Sequence, residues 1–418
     1  MSTQANPQNP ASQSSAPAAP ASLTMSQVLR NPQFLRLWLA QMVSIFGDFV
    51  ALFAVQIAIT FRMHGSAKDV TGVMVAFILP MAIVGPIAGV FVDRWNPRVT
   101  MIASDLIRGG LIVLLPFTTN LWQIYAVFFA LSTVSSFFMP AQAVTMPLLV
   151  KMEGLMAASS LMQQTMQFVR ILSPSAAAAL VTGFGEASCY YLDSLTFVFS
   201  AIMLTTLSYH RAVQPAARGF RAVLTDMGQG MKFILTHPKF SFVIVSMTAG
   251  TFAIASFGVL ISVYVRDVLK GSAYFFGAVG STMAIGTILG AAAVIKLSRG
   301  KAPADFVNLG MFLVGCFIAV MVLFHNQPMT LACAFLIGVS IAFIMVAATT
   351  LLQGESPPEM RGRITSSSMA MIAAGQGVAM LFAGDWATRF GIDKLFLGSA
   401  GMLFLVAIGG MWWLRRPA

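Results

Sequence analysis

Ionisable side chains are scarce in this chain. Only 9% of its 418 residues are charged, against about a quarter in an ordinary soluble domain. With 57% hydrophobic residues and a mean hydropathy of +0.81, a soluble globular fold is excluded and an all-α integral membrane protein is implied. Cysteine is scarce as well: Cys189, Cys316 and Cys333 lie apart in apolar runs. That spacing supports neither a disulfide framework nor a metal site, so no metal and no cofactor is expected. The four histidines, His64, His210, His237 and His325, fall in or beside expected loops, which argues against an embedded histidine relay. No G-x-x-x-x-G-K-[ST] phosphate loop occurs, so direct ATP drive is not expected. The start of the chain lacks the basic segment and short apolar core of a signal peptide. Residues 1–24 are uncharged and rich in Pro, Ala, Ser, Gln and Asn, the composition of a disordered tail.

What the chain has instead is long apolar runs. A bilayer core of roughly 30 Å takes about 20 helical residues, and such runs fall near 34–61, 70–92, 99–118, 121–145, 155–183, 188–208, 240–265, 273–297, 304–324, 329–352, 364–388 and 394–414. Twelve spans put both termini on one side. Of the 25 Lys and Arg, seventeen fall on the side of the termini, six on the other, and Arg108 and Arg170 inside spans. That bias predicts cytoplasmic termini. The net charge of +11 is spread through short loops and marks topology; no nucleic-acid partner is expected. The long loop 209–239 separates residues 25–208 from 240–418, six spans each. Within it Phe220, Val223, Leu224, Met227, Met231 and Ile234 recur at helical spacing, the pattern of an interfacial helix or of a solvated linker helix. Val144–Leu149 and Ala347–Leu352 are similar stretches about half the chain apart, which favours two related halves with a pathway between them. Gly85 with Gly89 and Gly286 with Gly290 are small-xxx-small pairs, predicting close helix crossings.

Between the second and third spans the chain reads Gly89-Val90-Phe91-Val92-Asp93-Arg94-Trp95-Asn96-Pro97-Arg98. This resembles the loop signature of the major facilitator superfamily, Gly-x-x-x-Asp-Arg-x-Gly-Arg-Arg. The resemblance implies twelve transmembrane helices in two pseudo-symmetric six-helix bundles. It also implies a latch on the side of the termini, formed by Gly89, Asp93, Arg94 and Arg98 against the start of the eleventh span with Arg361 and Arg363. Asn96 and Pro97 depart from the signature; Asn tolerates φ > 0 nearly as glycine does, so the turn is expected to survive with one arginine fewer. Asn31-Pro32-Gln33-Phe34-Leu35-Arg36, Phe168-Val169-Arg170-Ile171-Leu172-Ser173-Pro174 and Pro358-Glu359-Met360-Arg361-Gly362-Arg363 are similar to the branch of enterobactin exporters and macrolide efflux pumps. Drug/proton antiporters of the superfamily carry an arginine in the fourth span, whereas 121–145 here holds no charge.

A few ionisable residues remain inside the spans. Asp48 stands in the first, where a mid-bilayer carboxylate costs about 2.5–3.5 kcal/mol and is rarely kept without a partner, a wet cavity or a proton to carry. At 100° per residue, Gln41, Ser44 and Asp48 lie within about 60° of one another, and Gln163, Gln167, Arg170 and Pro174 do the same. These polar stripes are expected to face a substrate cavity or a neighbouring helix. Equal depths suggest that Asp48 and Arg170 meet, either as a proton-coupling pair or as a permanent structural one. Asp105 and Arg108, one turn apart on the third span, read as a local ion pair. Asp193 and Asp385 lie toward the far ends of their spans, where water could reach them, and Asp193 is the second candidate for protonation.

The expected function is outward transport of an amphipathic or apolar organic molecule, of drug or siderophore class, by alternating access, with proton antiport. Expected partners are the small-molecule substrate, protons and membrane lipid, in a monomer of the plasma (inner) membrane. Three alternatives stand beside it: a lysophospholipid or other lipid flippase, an importer or uniporter, and a non-transporting receptor or assembly partner on the same scaffold. No nucleophile–base or metal constellation suggests an enzyme.

Overall fold

Two Asn-Pro pairs set the entry of chain into membrane. Asn31 accepts from the backbone N–H of Gln33 at 3.0 Å and Phe34 at 3.4 Å, and Asn96 accepts from that of Arg98 at 3.0 Å. In each case proline follows as the first helical residue, where its missing N–H and fixed φ cost nothing. Asn96 therefore does not take the glycine-like conformation expected from the loop signature: its φ is −76°, because it caps a helix instead of making a turn.

A computed structural model describes residues 23–92, 94–208, 220–297, 302–354, 357 and 360–414. The tail expected over 1–24 lies mostly outside these, as do Asp93 and 209–219. Twelve helices follow the expected spans: α1 (Pro32–Ile57), α2 (Ala67–Val92), α3 (Pro97–Ile112), α4 (Leu121–Leu149), α5 (Met152–Phe184), α6 (Glu186–Thr205), α7 (Pro238–Asp267), α8 (Ala273–Leu297), α9 (Pro303–Phe324), α10 (Gln327–Gly354), α11 (Arg361–Phe390) and α12 (Ile392–Leu414). Among the described residues, eleven segments are long and apolar enough to cross a membrane. α5 completes the set, its 33 residues reaching about 50 Å at 1.5 Å each.

The packing repeats with a shift of six helices. α1 lies on α5 and α6, α2 on α4, and α3 on α4 and α6; α7 lies on α11 and α12, α8 on α10, and α9 on α10 and α12. Between the two sets the extensive contacts are α5 with α8 and α2 with α11, a pair of seams that the same shift exchanges. The arrangement has a pseudo-twofold axis.

Every described hydrogen bond or ion pair across the seams lies in the half of the molecule away from the termini. Thr60 donates to Ser262 at 3.0 Å, Arg266 reaches the carbonyls of Thr60 and Gly65 at 2.5 and 2.8 Å, and Lys68 pairs with Asp385 at 3.0 Å. Ser281 on α8 bonds Ser175 and the Ile171 carbonyl of α5 at 2.6 and 2.9 Å. Toward the termini, α2 leaves Met81, Ile83, Ile87 and Phe91 exposed, and α11 leaves Met369 exposed. The two halves meet on one face and part toward the other.

The glycine pairs divide accordingly. A Cβ on Gly286 or Gly290 of α8 would strike the backbone of Phe335 or Val339 on α10, and one on Gly338 would strike that of Met283 on α8. Helices so close need hydrogen as the side chain. Gly338→Leu is expected to lower stability by about 1–3 kcal/mol, read as an earlier thermal midpoint in detergent; an unchanged midpoint would show the crossing to be adjustable. At Gly85 and Gly89, in contrast, a Cβ would meet no atom within 4 Å, so the crossing expected there is not made in this state.

The long loop contains a helix, Phe220–Thr236, lying on α11. Ser367 donates to the Met227 carbonyl at 2.8 Å, Arg363 donates to the Gln229 side chain, and Gly230 sits against the Arg363 backbone. Ile234 is fully buried. One side of this helix is thus packed on protein.

Candidate functional site

Charge gathers where α1, α3 and α6 meet. α3 presents Asp105 and Arg108 on successive turns, and the Arg108 guanidinium forms an ion pair with Asp105. Its other terminal nitrogen lies 3.5 Å from Asp48 of α1. Phe197 of α6 and Phe138 of α4 lie over the guanidinium, with ring centres 4.3 and 4.7 Å from its carbon. Cation–π contact replaces part of the lost hydration. Asp105 also accepts from Ser200 of α6 at 2.6 Å.

Asp193 of α6 completes the group. Thr196 donates to its backbone oxygen at 2.7 Å and to its carboxylate at 3.2 Å. A Cβ on Gly47 would overlap both the Thr196 hydroxyl and the Asp193 carboxylate, so the glycine preceding Asp48 lets α6 approach α1. Asp48, Arg108 and Asp105 all act electrostatically on Asp193. Asp105 is fully buried, Asp193 and Arg108 nearly so, while Asp48 keeps 37% of its side-chain surface open. Three carboxylates and one guanidinium carry a formal −2. In low dielectric that excess is relieved by bound protons or by a cation. The buried Arg108 Nε has no hydrogen-bond partner among the described residues.

This geometry corrects several expectations. Arg170 is exposed and has no ion-pair partner among the described residues; the cation beside Asp48 is Arg108. Helical spacing ranked Asp48 and Arg170 by depth, but a long arginine on α3 reaches inward past Asp105. Gln41 and Ser44, expected on a substrate cavity or a neighbouring helix, are 4% and 2% exposed and take the second of these places. Asp193, expected within reach of water near the far end of its span, is buried at 1% exposure. Asp385 does lie at the far face, partly exposed and paired with Lys68.

On α5, Gln163 and Arg170 are exposed, and the Gln167 side chain lies outside the described residues. Farther along the same stripe, Pro174 and Ala178 meet Gly277 of α8. The stripe therefore faces the other half and is uncovered where the halves part. Of the expected latch, Arg98 bonds the Leu204 and Thr205 carbonyls of its own half, and Arg363 engages Gln229 of the linker helix. Arg94 is exposed; the Arg361 side chain and Asp93 lie outside the described residues. No described latch contact crosses between the halves.

Gly47, Phe138, Thr196, Phe197 and Ser200 were not anticipated. Asp193, Thr196 and Ser200 fall within about 60° on a helix, a polar stripe of the same spacing as those on α1 and α5. Among the described residues of α7–α12 no charged side chain is buried, and the buried polar groups there are Ser, Thr and Asn308.

Residues 37–366 and 303–418 match the Major Facilitator Superfamily. Macrolide efflux protein A of Streptococcus pyogenes is 23% identical over 90% of this chain and 94% of its own length. The uncharacterized MFS-type transporter YfiS of Bacillus subtilis (strain 168) is 22% identical over 91% and 93%, and the multidrug resistance protein MdtG of Klebsiella pneumoniae (strain 342) is 22% identical over 90% of each. Among solved structures, a bacterial homologue of the lysosomal transporter Spinster, inward-facing and occupied, superposes with a TM-score of 0.73 at 13% identity, covering 92% of this chain and 98% of that one. Twelve helices in two related sets, the Gly89–Arg98 loop and a match that spans the membrane region from end to end agree: the chain belongs to the major facilitator superfamily.

Proposed function

We propose that this transporter exports an amphipathic or apolar organic molecule by alternating access in exchange for protons, with Asp48 as the exchanging carboxylate and Arg108 in the role expected of Arg170. The observation that carries this reading is the cluster itself: three membrane-embedded carboxylates around one guanidinium, closed on all sides except at Asp48. A proton arriving at Asp48 weakens its attraction to Arg108. A departing proton restores it, and the charge change alters how α1 sits on α3 and α6. Asp193, against Gly47, is the second proton holder; Asp105, tied to Arg108 and Ser200, anchors the pair.

With the termini in the cytoplasm of an inner-membrane monomer, as the charge bias favours, the parted face opens inward. Gln163 and Arg170 on the uncovered stripe of α5 are then ligand contacts, and the latch residues are those that close when the cavity turns outward. Relatives named for macrolide and multidrug efflux support a drug-like substrate; the siderophore class stays within the same chemistry.

The test is ligand-driven proton exchange in proteoliposomes with macrolides, siderophores, cationic dyes and lysolipids. At least one class is expected to move protons opposite to its own flow. Transport with no proton movement, or with protons moving alongside the ligand, would overturn the antiport reading.

A further inference from the structure

A cavity of about 630 Å³ lies on the side of the molecule at the far face, between α2, α4 and α11. Its walls are apolar: Val75 and Ala76 of α2, Ala126 and Phe129 of α4, and Met380 and Leu381 of α11. Phe129 stands eight residues along α4, so the cleft runs about 12 Å into the membrane from that face. At the mouth Trp122 is 80% exposed, the placement of an interfacial aromatic, and Lys68 keeps 68% of its side-chain surface open.

The mouth holds one ammonium, Lys68, and two carboxylates, Asp69 and Asp385, a rim for a headgroup that carries both signs. Asp69 Oδ2 accepts from the Ser66 N–H and hydroxyl at 2.7 and 2.8 Å, which fixes this carboxylate at the rim. Asp385 takes one contact from Lys68, at 3.0 Å, and an ammonium has three donors. An apolar slot of acyl-chain depth beneath an ammonium at headgroup level matches one kind of molecule.

We propose that this cleft binds a glycerophospholipid of the leaflet opposite the termini, one acyl chain between α4 and α11 and the phosphate against Lys68. The walls come from both halves of the molecule, and the rim at Gly384 touches the backbone of Ala67 and Lys68. Parting the halves at this face would dismantle the cleft. A bound lipid thus favours the conformation in which the far face is closed.

The test is photolabelling of the purified full-length protein in detergent with a diazirine-bearing phosphatidylethanolamine, its phosphate toward Lys68 and its amine toward Asp385, mapped by mass spectrometry. Labels are expected to concentrate on α2, α4 and α11 around the cleft. Lys68→Gln should weaken labelling there about fivefold. Ala126→Phe, which adds bulk at an exposed position inside the cleft, should abolish it without changing the thermal midpoint of the lipid-free protein. Labelling spread evenly over the lipid-facing helices, or unchanged in both variants, would overturn the proposal, as would displacement of the label by macrolides or cationic dyes. No proton gradient enters the measurement, so its failure would leave the antiport reading untouched.

Discussion

Arg108→Leu is expected to lower the stability of the protein by about 3–5 kcal/mol, the usual cost of removing one partner from a buried ion pair. Total stabilities of about 5–15 kcal/mol make that a large fraction. The cause lies less in the lost contact than in what stays behind: Asp105 and Asp193, fully buried or nearly so, would face each other and Asp48 without a cation. Two companion variants separate charge from shape. Arg108→Lys keeps the charge but loses the planar group that lies under Phe138 and Phe197, and should fall between leucine and arginine. Adding Asp105→Asn to Arg108→Leu removes one orphaned charge and should recover part of the loss. Thermal midpoints in detergent decide it; a leucine variant as stable as the parent would mean that the three acids need no cation.

The second large effect is functional. Asp48→Asn should abolish proton-driven accumulation while leaving the fold intact, because a partly open side chain 3.5 Å from its partner contributes little to stability. One pH unit carries about 1.36 kcal/mol per proton, which permits about tenfold ligand accumulation per proton exchanged. In proteoliposomes the parent should approach that ratio, and the Asn variant should equilibrate its ligand without concentrating it. Retained ligand binding with lost accumulation identifies a coupling residue. Accumulation undiminished in Asp48→Asn would move the exchanging proton to Asp193, where Asp193→Asn makes the same test.

The spans could be read directly from the sequence because hydropathy reports on single helices, and lipid imposes the same length on each. Asp48 stood out for the same reason: an acid in an apolar run is costly wherever its neighbours are. Its partner could not be read in that way. The Asp48–Arg170 pairing came from comparing depths on two helices, and depth says nothing of which helix faces which or how far an arginine reaches. The spacing of Asp105 and Arg108 along α3 is visible in sequence, while the contact of Arg108 with Asp48 exists only once α1 and α3 pack. Gly47 belongs to the same class: glycine beside a buried acid marks close approach, but nothing in the sequence says that Asp193 is what approaches. The glycines at 85 and 89 show the opposite limit. Their spacing is that of a crossing, yet no atom lies within 4 Å of a Cβ built on either, because spacing along one helix does not say whether a second helix lies against it.

The pseudo-twofold axis relates two bundles whose contents differ. Among the described residues the first six helices hold every buried charge and the last six hold none, so the charge cluster has no counterpart across the axis. Symmetry here is mechanical and not chemical. A substitution in α7–α12 can therefore change what those helices contact without removing a member of the charge cluster around Arg108.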